Sequence, residues 1–527
     1  MCNALIDKLQ NDQTNQQKVN ELYAELCKSL FQEIDNNIEY KLVNSNRSKK
    51  KFKISKPYWD VELTNLWKDM NSKERLFLKN KDYSKQKTNK HRETFKSAQQ
   101  LFDKTLRKKS RQYNYQKINS IEGACLKNPK EFWGNIKKLG PNKSTNIPLK
   151  IRTSDDEETT NIDAVLNGWQ SDFSNLLNPQ TDSVNFDDNF LKTKTAEKET
   201  IEANIINNEY NINDAINLEF TQEELDKVIL QLKSQKSCGI DLIKNEIIKC
   251  TGLHTLLLVL FRHCFTNGMI PSIWQTGNII PIPKGAGKDP LVPLNYRGIT
   301  LISCISKVYS ALINKRIVQY CNEMNIFAEE QNGFRPKRSC EDHVFSLSSV
   351  IQNRLNNEKD TFCAFIDLEK AFDWLNRDLL LYKLLSININ GNMYFAIKSL
   401  LQNTKSKVSL SETVSTSLFD VMCGVRQGDP LSPTLFSLFI NDLVDDLKQT
   451  GTTLCVGNVN FNTLLYVDDM VIIGETEIDL QLLLNALNDW CFKWRVKINQ
   501  QKSKIIHFRK LNSKQTEIDF KFNKVIL

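Results

Sequence analysis

The feature that most constrains this chain is a pair of apolar runs that meet at adjacent acids. Leu464 and Leu465 lead into Tyr466-Val467-Asp468-Asp469, and Met470, Val471, Ile472 and Ile473 follow. Apolar runs on either side of a polar tip predict a β-hairpin with Asp468 and Asp469 at its turn. Roughly 100 residues upstream, Thr361 to Ile366 is another continuous apolar run, which suits a buried strand better than a helix and ends on Asp367. Carboxylates at the ends of apolar strands are costly unless something neutralises them. Hard divalent cations are the usual answer, because magnesium prefers carboxylate and phosphate oxygens. Asp367, Asp468 and Asp469 are thus candidate ligands for two magnesium ions, with manganese an alternative, in two-metal phosphoryl transfer. Taken singly, each acid also reads as a turn residue or helix cap. For Asp373, in Ala371-Phe372-Asp373, that plainer reading stands.

Between these acids lies Gly424 to Pro433, containing Gln427-Gly428 and then Ser432-Pro433, good N-cap and first-turn residues. The helix expected next turns Leu435, Phe436, Phe439, Ile440 and Leu443 to a core. Gln427 and Gly428 then sit in a loop against a helix start, where a backbone can approach a flat base closely. A purely structural turn has the same pattern.

A length of 527 residues favours roughly two to four folded units. The formal charge of +9 points to a polyanionic partner, since lysine and arginine pair with phosphates and release counterions. The 13 cysteines contain no C-x-x-C pair and read as reduced thiols of an intracellular protein. The N-terminus lacks a secretory-signal pattern, and no run is long enough to span a membrane. Residues 1–140 read as a basic helical segment. Its clusters, Arg47 to Lys56 and Lys104 to Arg111 with Tyr113 and Tyr115, are either a solvated helical face or a phosphate-gripping arm. Residues 141–220 turn acidic at Asp155-Asp156-Glu157-Glu158 and read as a linker or loose insertion. Order resumes at Thr221, which forms a capping box with Glu224.

The blocks at Asp367, Gln427-Gly428 and Tyr466 to Asp469 together resemble a reverse transcriptase, specifically that of non-LTR retrotransposons. The resemblance reaches from about residue 57 to 510 and includes Lys236 to Asp241, Gln331 to Pro336, and Val496 to Ile506. It implies Asp367, Asp468 and Asp469 as catalytic acids and Gln427-Gly428 as nucleotide-positioning. By the same analogy Lys284 and Arg297 grip the triphosphate, unless they are surface cations near a turn. Lys502 becomes a candidate general acid or an exposed structural lysine. Phe372 becomes a steric gate against ribose or a core phenylalanine. The implied fold is α+β, a right-hand polymerase with fingers at 221–355, a palm of antiparallel strands backed by helices at 356–510, and the start of a largely missing thumb at 511–527. Implied partners are an RNA template, a DNA primer or nicked DNA target, and deoxynucleoside triphosphates, with nuclear action. Val467 stands where this subgroup more often has alanine. A viral RNA polymerase fits less well, because Phe372 replaces the acid usual there. A group II intron maturase is a closer alternative than the viral enzyme, but it normally continues into a basic thumb and maturation region, which is not expected in this sequence. A truncated remnant that only binds nucleic acid is the competing reading from a different class.

Overall fold

The computed structural model describes residues 7, 15–37, 56–79, 85–127, 132–133, 136, 147–152, 157–179, 186–285, 287–456, 459–511, 513–522 and 525–526. The chain divides into a unit of residues 39–146 and a unit formed by residues 1–38 with 147–527.

In the smaller unit, helices Val61–Lys79 and Lys85–Lys127 pack side by side. Aromatic pairs join them: Trp59 lies 5.9 Å from Phe102, and Phe77 stacks on Phe95 at 6.2 Å. Tyr113 packs against Tyr58, while Tyr115 is exposed. Lys109 pairs with Asp60 and Glu62, so one cation of the second basic cluster is already used within the unit. The cluster Arg47 to Lys53 lies outside the described residues.

Residues 1–140 are therefore not one segment. Helix Gln16–Asn37 belongs to the larger unit, where it buries Val19, Leu22, Tyr23, Leu26 and Leu30. The Tyr23 hydroxyl donates to Oδ2 of the buried Asp241 at 2.7 Å, while Asp241 Oδ1 stays without a hydrogen-bond partner among the described residues. The reading of 141–220 as a linker also fails. Helix Ile162–Leu177 spaces Val165, Trp169 and Phe173 four residues apart, so all three face one side and are buried. Trp169 stacks on Phe173 and meets Tyr296 edge-on at 5.1 Å. Each such burial contributes about 2–3 kcal/mol before ordering costs. Helix Asp188–Ile206 packs with polar groups instead: Lys198 pairs with Asp378, and Glu202 holds Tyr394 and Lys398. A packed face built from lysine and glutamate looks solvated in sequence, which is why composition misled.

Strands β1 (Thr276–Pro283), β2 (Tyr296–Leu301), β3 (Thr361–Asp367), β4 (Lys405–Val408), β5 (Phe419–Asp420), β6 (Thr463–Tyr466), β7 (Asp469–Gly474) and β8 (Lys504–Phe508) build two four-stranded sheets. One runs β2-β1-β4-β5, with β1 antiparallel to β2 and parallel to β4. The other runs β6-β7-β3-β8 and is antiparallel throughout. The first sheet joins strands from both sides of the expected boundary at 355/356, so that division is not a sheet boundary.

Helices Ser432–Ile440 and Glu477–Trp494 carry Leu435, Phe439, Leu484, Trp490 and other apolar side chains into the main core with Ile366, Met470 and Ile472. The second sheet thus has its helical backing. Thr221 and Glu224 form the expected capping box, with both reciprocal bonds present. Ser432 corrects an expectation: it is the first helical residue, not the cap, and Asp429 Oδ1 instead accepts from Leu431 N at 3.0 Å.

Candidate active site

Register places the acids. In the antiparallel pair β3–β7, Asp469 lies opposite Asp367, because the apolar residues behind them, Ile366 and Met470, are cross-strand partners. Tyr466 pairs with Asp469, which leaves Val467 and Asp468 as a two-residue turn. Asp469 thus opens the second strand and is not part of the turn itself. Val467 is buried at φ +63°, a conformation that a β-branched residue rarely adopts. The end of β3 is fastened by the segment before β8: Asn499 N donates to Asp367 O at 2.8 Å, and Asp367 N donates to Ser503 Oγ at 3.2 Å.

The three acids do not share one space. Asp367 and Asp468 line a cavity of about 550 Å³ between the two sheets. Asp469 lines an adjoining groove of about 460 Å³, with Tyr466 and Met470. Asp367 and Lys502 border both, and Lys502 Nζ stands 3.1 Å from Asp367 Oδ2. Burial pushes the Asp468 carboxyl above its usual range, and the nearby Asp469 and Asp367 charges push it further, while Arg297 opposes them.

An all-oxygen set of carboxylates suits a hard divalent cation. As placed, though, no three His, Cys, Asp or Glu side chains converge as a metal-holding group among the described residues. Asp367 is directed to Lys502 instead.

The opposite wall is basic. Lys284, Lys288, Arg297 and Lys370 line the same cavity. Lys284 follows β1 and Arg297 lies on β2, where the hairpin opens to solvent. Lys284 Nζ donates to Leu294 O at 2.7 Å, and burial lowers its pKa despite the nearby Asp373. The backbone carbonyl of Gln427 accepts from Thr300 N at 2.9 Å, and its side-chain Nε2 donates to Asp373 Oδ1 at 3.4 Å. Gly428 sits at φ +126°, and a Cβ there would come within 2.7 Å of Thr300 O, so only glycine lets this loop lie against β2. Phe372 lines the cavity and stacks on Phe436 at 4.8 Å, so it is at once a core ring and a wall. Asp373 is pushed up to about 6, chiefly by burial.

Lys284, Arg297, Phe372, Gln427, Asp367, Asp468, Asp469 and Lys502 thus meet around adjoining spaces, from segments up to about 200 residues apart, whereas Gly428 packs on Thr300 and lines neither space. Sequence reading passed over Lys370 and Gln331. Lys370, in the left-handed region at φ 49°, presents a cation to the cavity between Asp367 and Asp373. Its position inside the first acidic block was the available signal.

No described helix is long and apolar enough to cross a membrane. Residues 282–521 match the family model of the reverse transcriptase (RNA-dependent DNA polymerase). The RNA-directed DNA polymerase from mobile element jockey of Drosophila funebris is 30% identical over 55% of this chain and 32% of that protein. A probable RNA-directed DNA polymerase from transposon BS of Drosophila melanogaster is 29% identical over 53% of this chain and 31% of its own length. The Pol polyprotein of retrotransposable element R2DM from the same fly is 28% identical, covering 48% and 23%. The chain spans about a third of the length of the first of these relatives. Among solved structures, an apo telomerase from Candida tropicalis is similar at a TM-score of 0.34 and 16% identity, over 47% of this chain and 52% of that one. Over residues 282–521 the chain is thus similar to reverse transcriptases, and the relatives it matches are RNA-directed DNA polymerases and Pol polyproteins of mobile elements.

Proposed function

We propose that this chain is the polymerase core of a non-LTR retrotransposon, adding deoxynucleotides to a primer 3′-hydroxyl on an RNA template. The observation that carries the reading is the meeting of two spaces at Asp367, a cavity with a basic wall and a groove beside the acidic hairpin. The sheet β6-β7-β3-β8 acts as the palm and the β1–β2 hairpin as part of the fingers. The deoxynucleoside triphosphate occupies the cavity, with its phosphates toward Lys284 and Arg297 and its sugar toward Phe372. The primer terminus lies in the groove beside Tyr466 and Asp469. The 3′-hydroxyl oxygen, giving up its proton to solvent, then bonds to the α-phosphorus, the bond from that phosphorus to the bridging oxygen breaks, and pyrophosphate leaves. Lys502, close to Asp367, is placed to give a proton to the departing pyrophosphate.

Asp367, Asp468 and Asp469 are the residues that would hold divalent metal, two magnesium ions or manganese in their place. Bound there, such ions supply Lewis-acid stabilisation of the attacking and leaving oxygens. Phe372, fixed by its stack on Phe436, excludes a ribose 2′-hydroxyl by contact. Basic groups on the cavity wall neutralise the charge that the triphosphate brings.

Primer extension on an RNA template with magnesium and deoxynucleotides, wild type against Asp468→Ala, tests the reading. Extension that disappears in the variant supports it. A folded wild type that binds template but extends nothing favours a nucleic-acid-binding remnant, and extension surviving in the variant sinks the site assignment.

A further inference from the structure

The acidic turn is held in its strained shape by one buried side chain from another part of the chain. Gln331 is almost completely buried, and its amide spans both backbone polar groups of Val467. Its Oε1 accepts from Val467 N at 2.9 Å and from Gly333 N at 2.7 Å, and its Nε2 donates to Val467 O at 3.3 Å. The neighbouring backbone continues the attachment: Leu465 N donates to Glu330 O at 2.8 Å and Asn332 N to Leu465 O at 2.9 Å. His343 Nε2 adds a contact to the same Leu465 carbonyl at 2.9 Å. The approach is too close for a side chain at Gly333, where a Cβ would come within 2.4 Å of Val467 N.

A valine at φ +63° costs about 1–3 kcal/mol and persists only where the surroundings over-determine it. The direction in which Asp468 projects depends on the backbone angles of the residue before it. We propose that Gln331 is a positioning residue for the polymerase reaction: it locks Val467 in the left-handed region and so aims Asp468 at the cavity. The chemistry singles out glutamine. The clamp needs an acceptor and a donor on one planar group, which glutamate and methionine lack, and a reach that asparagine lacks by one methylene. The inference rests on the polymerase reading proposed above, with Asp468 as a catalytic acid.

The test is a cycle of Gln331→Met and Val467→Gly, singly and together, in steady-state incorporation of one deoxynucleotide on an RNA template. Thermal melting and primer–template affinity are followed alongside. Methionine keeps the volume and removes the hydrogen bonds. Displacing a reacting group by about 1 Å can cost about 100-fold, so Gln331→Met is expected to lower kcat by about that factor with primer–template affinity unchanged. Glycine adopts the left-handed region without strain, so adding Val467→Gly to Gln331→Met restores about tenfold of the lost kcat. That recovery is what a merely structural role for Gln331 does not produce. A wild-type kcat in Gln331→Met, or the same cost for Val467→Gly in both backgrounds, overturns the inference. If Gln331→Met fails to fold, Gly333→Ala decides, because its methyl presses directly on Val467 N. A lowered kcat in folded Gly333→Ala supports the clamp, and a wild-type kcat overturns it. A wild-type chain that incorporates nothing removes the polymerase reading itself, a result distinct from every other arm.

Discussion

The two sheets that flank the cavity hold charge by different means. On the acidic wall the backbone does the placing. Asp367 and Asp469 are cross-strand neighbours, Asp468 occupies a two-residue turn, and that turn is bonded at both backbone groups of Val467. On the basic wall, Lys284 and Arg297 are long, solvent-accessible side chains near the loop end of a hairpin, and Lys284 is tethered by a bond to Leu294 O. A preorganised wall acts on the transition state, whereas flexible cations also hold the ground state. The contrast teaches where each kind of defect belongs: loss from the acidic wall falls on kcat, and loss from the basic wall falls largely on KM.

The largest effect that would break this contrast is at Asp367. Asp367→Asn keeps size and strand pairing but removes the charge, and the expected loss in kcat is at least about 1000-fold with little change in KM. Steady-state incorporation with varied deoxynucleotide checks it, and a loss confined to KM would erase the distinction between the walls. Next is Lys284→Ala. Losing a charge-assisted contact worth about 1.5–3 kcal/mol raises KM for the triphosphate about 10- to 100-fold. A fall in kcat of the same size at unchanged KM would show that the basic wall is as preorganised as the acidic one.

This difference also decided what sequence could reveal. Where backbone register places a side chain, local pattern is enough. The runs Thr361 to Ile366 and Leu464 to Ile473 read as strands, and their acids fall together because apolar partners align behind them. Where packing uses polar groups, pattern fails. Helix Asp188–Ile206 buries Lys198 and Glu202 against Asp378 and Lys398, and nothing local separates that face from a solvated one. Helix Ile162–Leu177 was legible in principle from Val165, Trp169 and Phe173, but the polar residues around it hid the spacing. Gln331 was legible only as part of a block. Its bonds to Val467 cross 136 residues, and no single-sequence signal spans that distance.

A smaller effect is expected at Phe372, which belongs to both the core and the cavity. Phe372→Val opens space at the sugar and gives up the stack on Phe436. Discrimination against ribonucleotides is expected to fall about tenfold, the scale of a few hydrophobic contacts, with deoxynucleotide kcat/KM falling less. Competition between the two nucleotide types checks it. Unchanged discrimination would assign the ring to the core alone.

The smallest effect concerns Asp373, the acid that lies on the basic side of the cavity. Burial raises its folded pKa to about 6 from a usual 3.8, against the opposing pull of Lys284 and Lys370. The sign follows from proton binding. Between those values the folded chain holds a proton that the unfolded chain releases, so this group's contribution to stability falls as pH rises through the window. Above about pH 6 the carboxylate is charged in both states, and the folded state carries the full desolvation cost. Asp373→Asn removes that titration while leaving a group that meets Gln427. It is expected to stabilise the fold by about 1–3 kcal/mol at pH 7, with the advantage shrinking to nothing near pH 4. Denaturant unfolding at the two pH values measures this. A variant less stable than wild type at pH 7 would mean that Lys284 and Lys370 more than offset the burial, and Asp373 would then be a structural ion-pair partner of the basic wall.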